Sequence, residues 1–93
     1  MTPLGDASVP RLALGCRLNP AGGSEDLLLI PEGALRLHGP ARSILELCDG
    51  ARTVAAITAL VQEGYPAEVA PAVAGDIAAL LQRLCERGVL ETS

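Results

Sequence analysis

The amino-acid sequence predicts an α+β domain in which a three-stranded antiparallel sheet is followed by a three-helix bundle. Three observations carry that expectation. Apolar residues alternate with a period of two over residues 11–19 and again over 34–38, and recur with a helical period after Gly39-Pro40. The chain has 93 residues, 49% of them hydrophobic, enough for one core and one domain. Its only aromatic residue is Tyr65, so that core has to be built from Leu, Ile, Val and Ala.

Residues 1–9, punctuated by Pro3 and Gly5 and followed by Pro10, read as a flexible N-terminal segment, which leaves 10–93 as the folded domain. Leu12, Leu14, Cys16 and Leu18 then share one parity, while Arg11, Arg17 and Asn19 take the other. This pattern predicts a half-buried first strand, with Gly15 as the place for a bend. Asn19-Pro20-Ala21-Gly22-Gly23 is turn chemistry, and Ser24, Glu25 and Asp26 keep the turn in water. Leu27-Leu28-Leu29-Ile30 is apolar throughout, as in a strand covered on both faces, here by the N-terminal segment or by another chain. After the tight turn Pro31-Glu32-Gly33, residues 34–38 alternate again, with Leu35 and Leu37 on one face and Arg36 and His38 on the other. Three short strands joined by turns make a meander.

Pro40 suits the first position of a helix, where a missing N–H costs little. Ile44, Leu47 and Cys48 form its i, i+3, i+4 stripe, and Asp49-Gly50 ends it with Gly50 as a left-handed cap. Thr53 is a good N-cap for a second helix, whose apolar face is Val54, Ile57, Leu60 and Val61 and whose end is Gly64. A third helix starts near Ala70 or Pro71, because a proline deeper inside would lose a ladder bond. Val73, Ile77, Leu80, Leu81 and Leu84 form the most regular stripe in the chain. Gly88 stops this helix and returns Val89 and Leu90 to the core.

Composition excludes several function classes. Nucleophilic catalysis needs a nucleophile, a base and an orienting group. The one histidine, His38, reads as an exposed strand-end residue, and no catalytic residue is assigned. Cys16, His38, Cys48 and Cys85 lack the short Cys-x-x-Cys pair of a metal site, and Cys48 and Cys85 sit on apolar stripes. No metal or cofactor is therefore expected. The glycines beside Glu25 and Asp26 do not suit a phosphate. Three cysteines at irregular spacing argue against a disulfide framework and for a cytoplasmic protein. The longest unbroken apolar run, residues 77–81, is too short for a bilayer.

With a small sheet, the second and third helices also suit a winged helix–turn–helix, and nucleic-acid binding is the alternative function. The net charge of −4 and the scattered arginines speak against it. On the third helix Asp76, Gln82, Arg83, Glu86 and Arg87 nearly cancel. What remains is a polypeptide-binding surface: the edge of the third strand taking a partner segment as an extra strand, beside a groove lined by Leu, Ile and Val. The same residues also read simply as core.

Three blocks carry a resemblance: Pro31-Glu32-Gly33-Ala34 followed by Leu35-Arg36-Leu37; Ile44-Leu45-Glu46-Leu47-Cys48-Asp49-Gly50 followed by Arg52-Thr53-Val54 and Ile57; and Asp76-Ile77, Leu80-Leu81, Leu84 and Gly88-Val89-Leu90. Over residues 10–90 the chain resembles the PqqD family of pyrroloquinoline quinone (PQQ) biosynthesis. The resemblance implies a winged-helix-like fold, binding of the precursor peptide PqqA, and its presentation to the radical S-adenosylmethionine enzyme PqqE. It implies that the peptide adds beside the third strand and packs on the third helix, which points to Leu35, Arg36, Leu37, Val73, Asp76, Ile77 and Leu80. The family often carries aromatics in the second strand and next to Leu81; here Leu27–Ile30 and Leu80 stand there, which implies a shallower groove. The Pro/Gly hinges around Gly33 and Gly39 suit either a monomer or a strand-exchanged homodimer.

Overall fold

The computed structural model describes residues 4–20 and 25–93. The turn expected at 19–23 lies partly outside them, as does Ser24. Eight elements follow in order: β1 (Pro10–Leu12), β2 (Arg17–Leu18), β3 (Leu27–Ile30), β4 (Gly33–Arg36), α1 (Ala41–Glu46), α2 (Val54–Gln62), α3 (Ala70–Glu86) and β5 (Leu90–Thr92). The meander is present as an antiparallel sheet in the order β2-β3-β4. All-apolar β3 is its central strand, with Leu28 fully buried.

The first expected strand is two strands. Gly15 has φ +87°, and the Cys16 N–H donates to the Ala13 carbonyl, so the chain turns there instead of bending. The turn defeats the parity argument: Leu14, placed on the buried face by alternation, is 97% exposed. It also separates partners. β2 pairs with β3, whereas β1 pairs antiparallel with β5 in a second, two-stranded sheet. Residues 4–9, read from the sequence as a flexible leader, dock against this second sheet and its surroundings. The Leu4 N–H donates to Gln82 Oε1, the Val54 and Ala55 N–H groups donate to the Ser8 and Asp6 carbonyls, and Val9 and Ser93 exchange backbone hydrogen bonds.

α2 and α3 follow their local signals, whereas α1 ends at Glu46 with Leu47 as its C-cap, short of the expected Cys48 and of Gly50, whose N–H donates instead to the Pro10 carbonyl. Pro40 sits at the N-cap of α1. Thr53 caps α2, its hydroxyl accepting from the Ala56 N–H at 3.1 Å. Pro71 lies in the first turn of α3, where no ladder bond is lost. At the other end Gly88 has φ +80°; its N–H donates to the Cys85 carbonyl and that of Val89 to the Leu84 carbonyl. This double bond pattern satisfies two orphan carbonyls and aims Val89 and Leu90 inward. The core joins Leu28, Ile44, Leu45, Cys48, Val54, Ile57, Ile77, Leu81, Leu84, Val89 and Leu90. It is aliphatic apart from one thiol.

Candidate functional site

β4 pairs with β3 on one side and has no strand partner on the other among the described residues. The register Leu28↔Leu35, continued by the Leu37 N–H donating to the Asp26 carbonyl at 2.8 Å, decides which groups are free. In an antiparallel pair alternate residues turn their backbone groups to the partner. Residues 33, 35 and 37 thus face β3, and the N–H and C=O of Ala34 and Arg36 point outward. Leu37, taken from the sequence as part of the docking edge, contributes its side chain to the groove but has no free donor.

Beside this edge runs a groove floored by α3. It consists of two adjoining depressions of about 320 and 310 Å³ that share His38, Ala41, Leu80 and Arg83. Leu35, Arg36 and Leu37 line the first; Val73, Asp76 and Ile77 line the second; Leu80 lines both. All seven sequence candidates are thereby brought to one groove. Their parts differ, since Ile77 is 1% exposed and belongs to the core floor, while Leu80 is half-buried and presents a free apolar surface.

The sequence reading missed several lining residues. Pro40, Ile44, Val61 and Tyr65 wall the second depression, where α1 and the end of α2 close on α3. Their convergence on this groove depends on tertiary packing that no local pattern reports. Arg83, Leu84 and Arg87 extend the first depression. They did have a signal: from Leu80 they fall at i+3, i+4 and i+7, one helix face. Adding up the charges of α3 hides it, because Glu86 and Gln82 hydrogen-bond each other on a different face. His38, read as a bland strand end, is exposed but lines both depressions.

Charge is ordered along the groove. Asp76 lines the second depression only, Arg36 and Arg87 line the first only, and Arg83 stands where the two meet. Away from the groove, burial pushes the Cys48 thiol up to about 12, and its Sγ lies 3.4 Å from the Ile44 carbonyl, so it is a protonated core group at neutral pH. Burial raises Cys85 as well. Hydrogen bonds from the backbone N–H groups of Ala51 and Arg52, together with the Arg52 guanidinium, hold Asp49 below the usual carboxylate range. Cys16, His38, Cys48 and Cys85 are not gathered into one cluster among the described residues. No helix of the described residues is long and apolar enough to cross a membrane.

Residues 25–90 match the family described as Coenzyme PQQ synthesis protein D (PqqD), a span that includes β3, β4 and all three helices. The chain belongs to the PqqD family. Among PqqD relatives, the PqqA binding protein of Pseudomonas aeruginosa (strain UCBPP-PA14) is 46% identical over 77 residues, covering 81% of this chain and 80% of that one. The PqqA binding protein of Klebsiella pneumoniae (strain 342) is 38% identical over 81 residues, 86% of each chain. The fold matches the solution structure of the PqqD truncation of Methylobacterium extorquens PqqCD, described as a functional, stand-alone recognition element for ribosomally made, modified peptides. The TM-score is 0.76 at 32% identity, covering 95% of this chain and 94% of that one. The heterocyclase TruD contains the same fold in 12% of its chain, with a TM-score of 0.65 at 21% identity over 92% of this chain.

Proposed function

We propose that this chain is a cytoplasmic peptide chaperone of PQQ biosynthesis. It binds the precursor peptide PqqA in the β4–α3 groove and presents it to the radical S-adenosylmethionine enzyme PqqE, with no chemistry of its own. One observation carries the reading: the outward N–H and C=O groups of Ala34 and Arg36 run beside the apolar surface of Leu35, Leu37 and Leu80. The names of the Pseudomonas and Klebsiella relatives support the ligand, and the description of the Methylobacterium domain as a recognition element supports a binding role over an enzymatic one.

Magnitudes show why edge and groove are both needed. Ordering about five peptide residues costs about 5–10 kcal/mol of backbone entropy. About four strand bonds to Ala34 and Arg36 return roughly 2–6 kcal/mol. Each Leu-sized side chain buried in the groove adds about 1.5–3 kcal/mol, so two or three anchors tip the balance. Leu80→Asp removes an anchor surface without opening the core and weakens PqqA binding by roughly 10- to 100-fold. An NMR titration of the labelled domain checks this: wild-type shifts concentrate at Ala34, Arg36, Leu80 and Arg83, and the Leu80→Asp spectrum stays dispersed but no longer moves. Shifts centred on β1 and β5 instead would place the peptide elsewhere. PqqE turnover of PqqA that is unaffected by leaving the chain out would remove the presentation step. The chain acts as a monomer or as a strand-exchanged homodimer; a one-chain mass at every concentration in sedimentation removes the second form.

A further inference from the structure

We propose that the Arg83–Arg87 end of the groove is a carboxylate subsite, which selects an acidic side chain on the bound peptide. The inference rests on the peptide-binding reading above and adds the chemistry of one peptide position.

Most arginines of this chain already have an acidic partner: Arg11 with Glu91, Arg36 with Glu25, Arg42 with Asp26 and Glu46, Arg52 with Asp49. Arg83 and Arg87 make no ion pair with a described residue, although the chain carries eleven carboxylates against seven arginines. Both lie exposed on the groove face of α3, one turn apart, and both line the first depression. The Arg36–Glu25 pair is 3.2 Å long with both side chains about half or more exposed, so it is weak and exchangeable. Two guanidinium groups without an acidic partner among the described residues therefore stand at one end of an apolar groove, with Arg36 on its strand edge, in a protein of net charge −4.

The helix dipole favours cations near the C-terminus of α3. It accounts for their place along the axis but not for both arginines facing the groove. Guanidinium forks match carboxylates in planar, two-bonded geometry, and the neighbouring aliphatic walls of Leu35, Leu37 and Leu84 lower the local dielectric. A nucleic-acid phosphate would satisfy the same forks, but it would meet the repulsion of the whole acidic chain and gain nothing from the aliphatic floor. Asp76 lies roughly 16 Å from Arg87 along the helix axis. An extended segment covers that in about five residues. The groove thus reads an acidic residue at one end and disfavours one about five residues away, opposite Asp76.

The test is a binding cycle at low ionic strength with the fluorescently labelled PqqA peptide of Pseudomonas aeruginosa and versions in which each Asp or Glu is changed in turn to its amide. The double variant Arg83→Gln/Arg87→Gln should bind the unmodified peptide about tenfold or more weakly, the loss expected for charge-assisted hydrogen bonds. One amide peptide should show the same loss on wild-type protein and no further loss on the double variant. Arg83→Lys/Arg87→Lys, which keeps the charge but not the fork, should fall between, and Arg17→Gln, outside the groove, should bind normally. Thermal melts matching wild type establish that the variants are folded. Equal binding by wild type and double variant overturns the subsite, as does a loss that is the same for every peptide version. Arginine-dependent binding of labelled duplex DNA that exceeds peptide binding overturns it in favour of phosphate. Peptide that does not bind wild-type protein at all overturns the peptide-binding reading as well, and so is distinguishable from failure of the subsite alone.

Discussion

The two ends of this small molecule finish their strands in opposite ways. β1 is closed on both sides by its own chain. β5 pairs along one edge, the Ala13 N–H donates to the Val89 carbonyl, and on the other side the Gly50 N–H donates to the Pro10 carbonyl beside an Arg11↔Asp49 bridge. β4 is closed on one side only, and its outward backbone groups border the groove. Unpaired strand edges are a hazard that folded proteins normally cover or disrupt. Here β5 and residues 49–50 cover β1, and the outer edge of β4 stays open among the described residues, flanked by Pro31, Pro40 and the charged Arg36. Under the proposed function the difference assigns β1 and β5 to stability and β4 to recognition, so damage to the two should separate in measurement.

The largest expected effect lies on the closed side. Leu90 is 3% exposed and pairs with Leu12. Leu90→Asp buries a charge without a partner and should cost about 3–5 kcal/mol. A thermal melt then falls by more than about 12 °C for a domain of this size. At temperatures where the variant is still folded, its affinity for PqqA should equal wild type; reduced affinity of the folded fraction would break the division between the two edges. A smaller effect is expected at the open edge. Arg36→Pro removes one outward N–H and should weaken binding roughly two- to tenfold, with an unchanged melt, since edge strands tolerate proline. Arg36→Ala separates out the loss of the guanidinium. Leu37→Pro sharpens the contrast, because it removes the donor to Asp26 and should lower the melting temperature instead. A further effect is alkaline. The folded Cys48 thiol titrates near 12 and the unfolded one near 9.0, so above 9.0 the unfolded chain loses its proton first. Stability therefore declines as pH rises from 9.0 toward 12. In Cys48→Ala the slope over that window should flatten, and peptide binding at neutral pH should not change.

Much of the recognition side was legible in the sequence. The stripe of Val73, Ile77, Leu80, Leu81 and Leu84 is long enough for its period to be unambiguous, and the alternation of Leu35, Arg36 and Leu37 sets the face of β4 correctly. The closed side was not legible. β1 and β5 are three residues long, below the length at which a period exists, and their pairing spans almost the whole chain. At Gly15 a period-two pattern continued by coincidence through a turn, which is why Leu14 reads as buried and lies in solvent. Arg83 and Arg87 were visible but were summed with their neighbours; a helix sorts charge by face, and net charge discards that information.

The aliphatic makeup of the interior has a practical corollary. Tyr65 is the sole Phe, Tyr or Trp in the chain, and it stands at the wall of the second depression, 40% exposed. Near-ultraviolet absorption, its emission and its aromatic dichroism in the unlabelled protein originate from that one side chain. The molecule comes with a built-in optical gauge whose background is dark, and filling the cavity beside it registers without a dye.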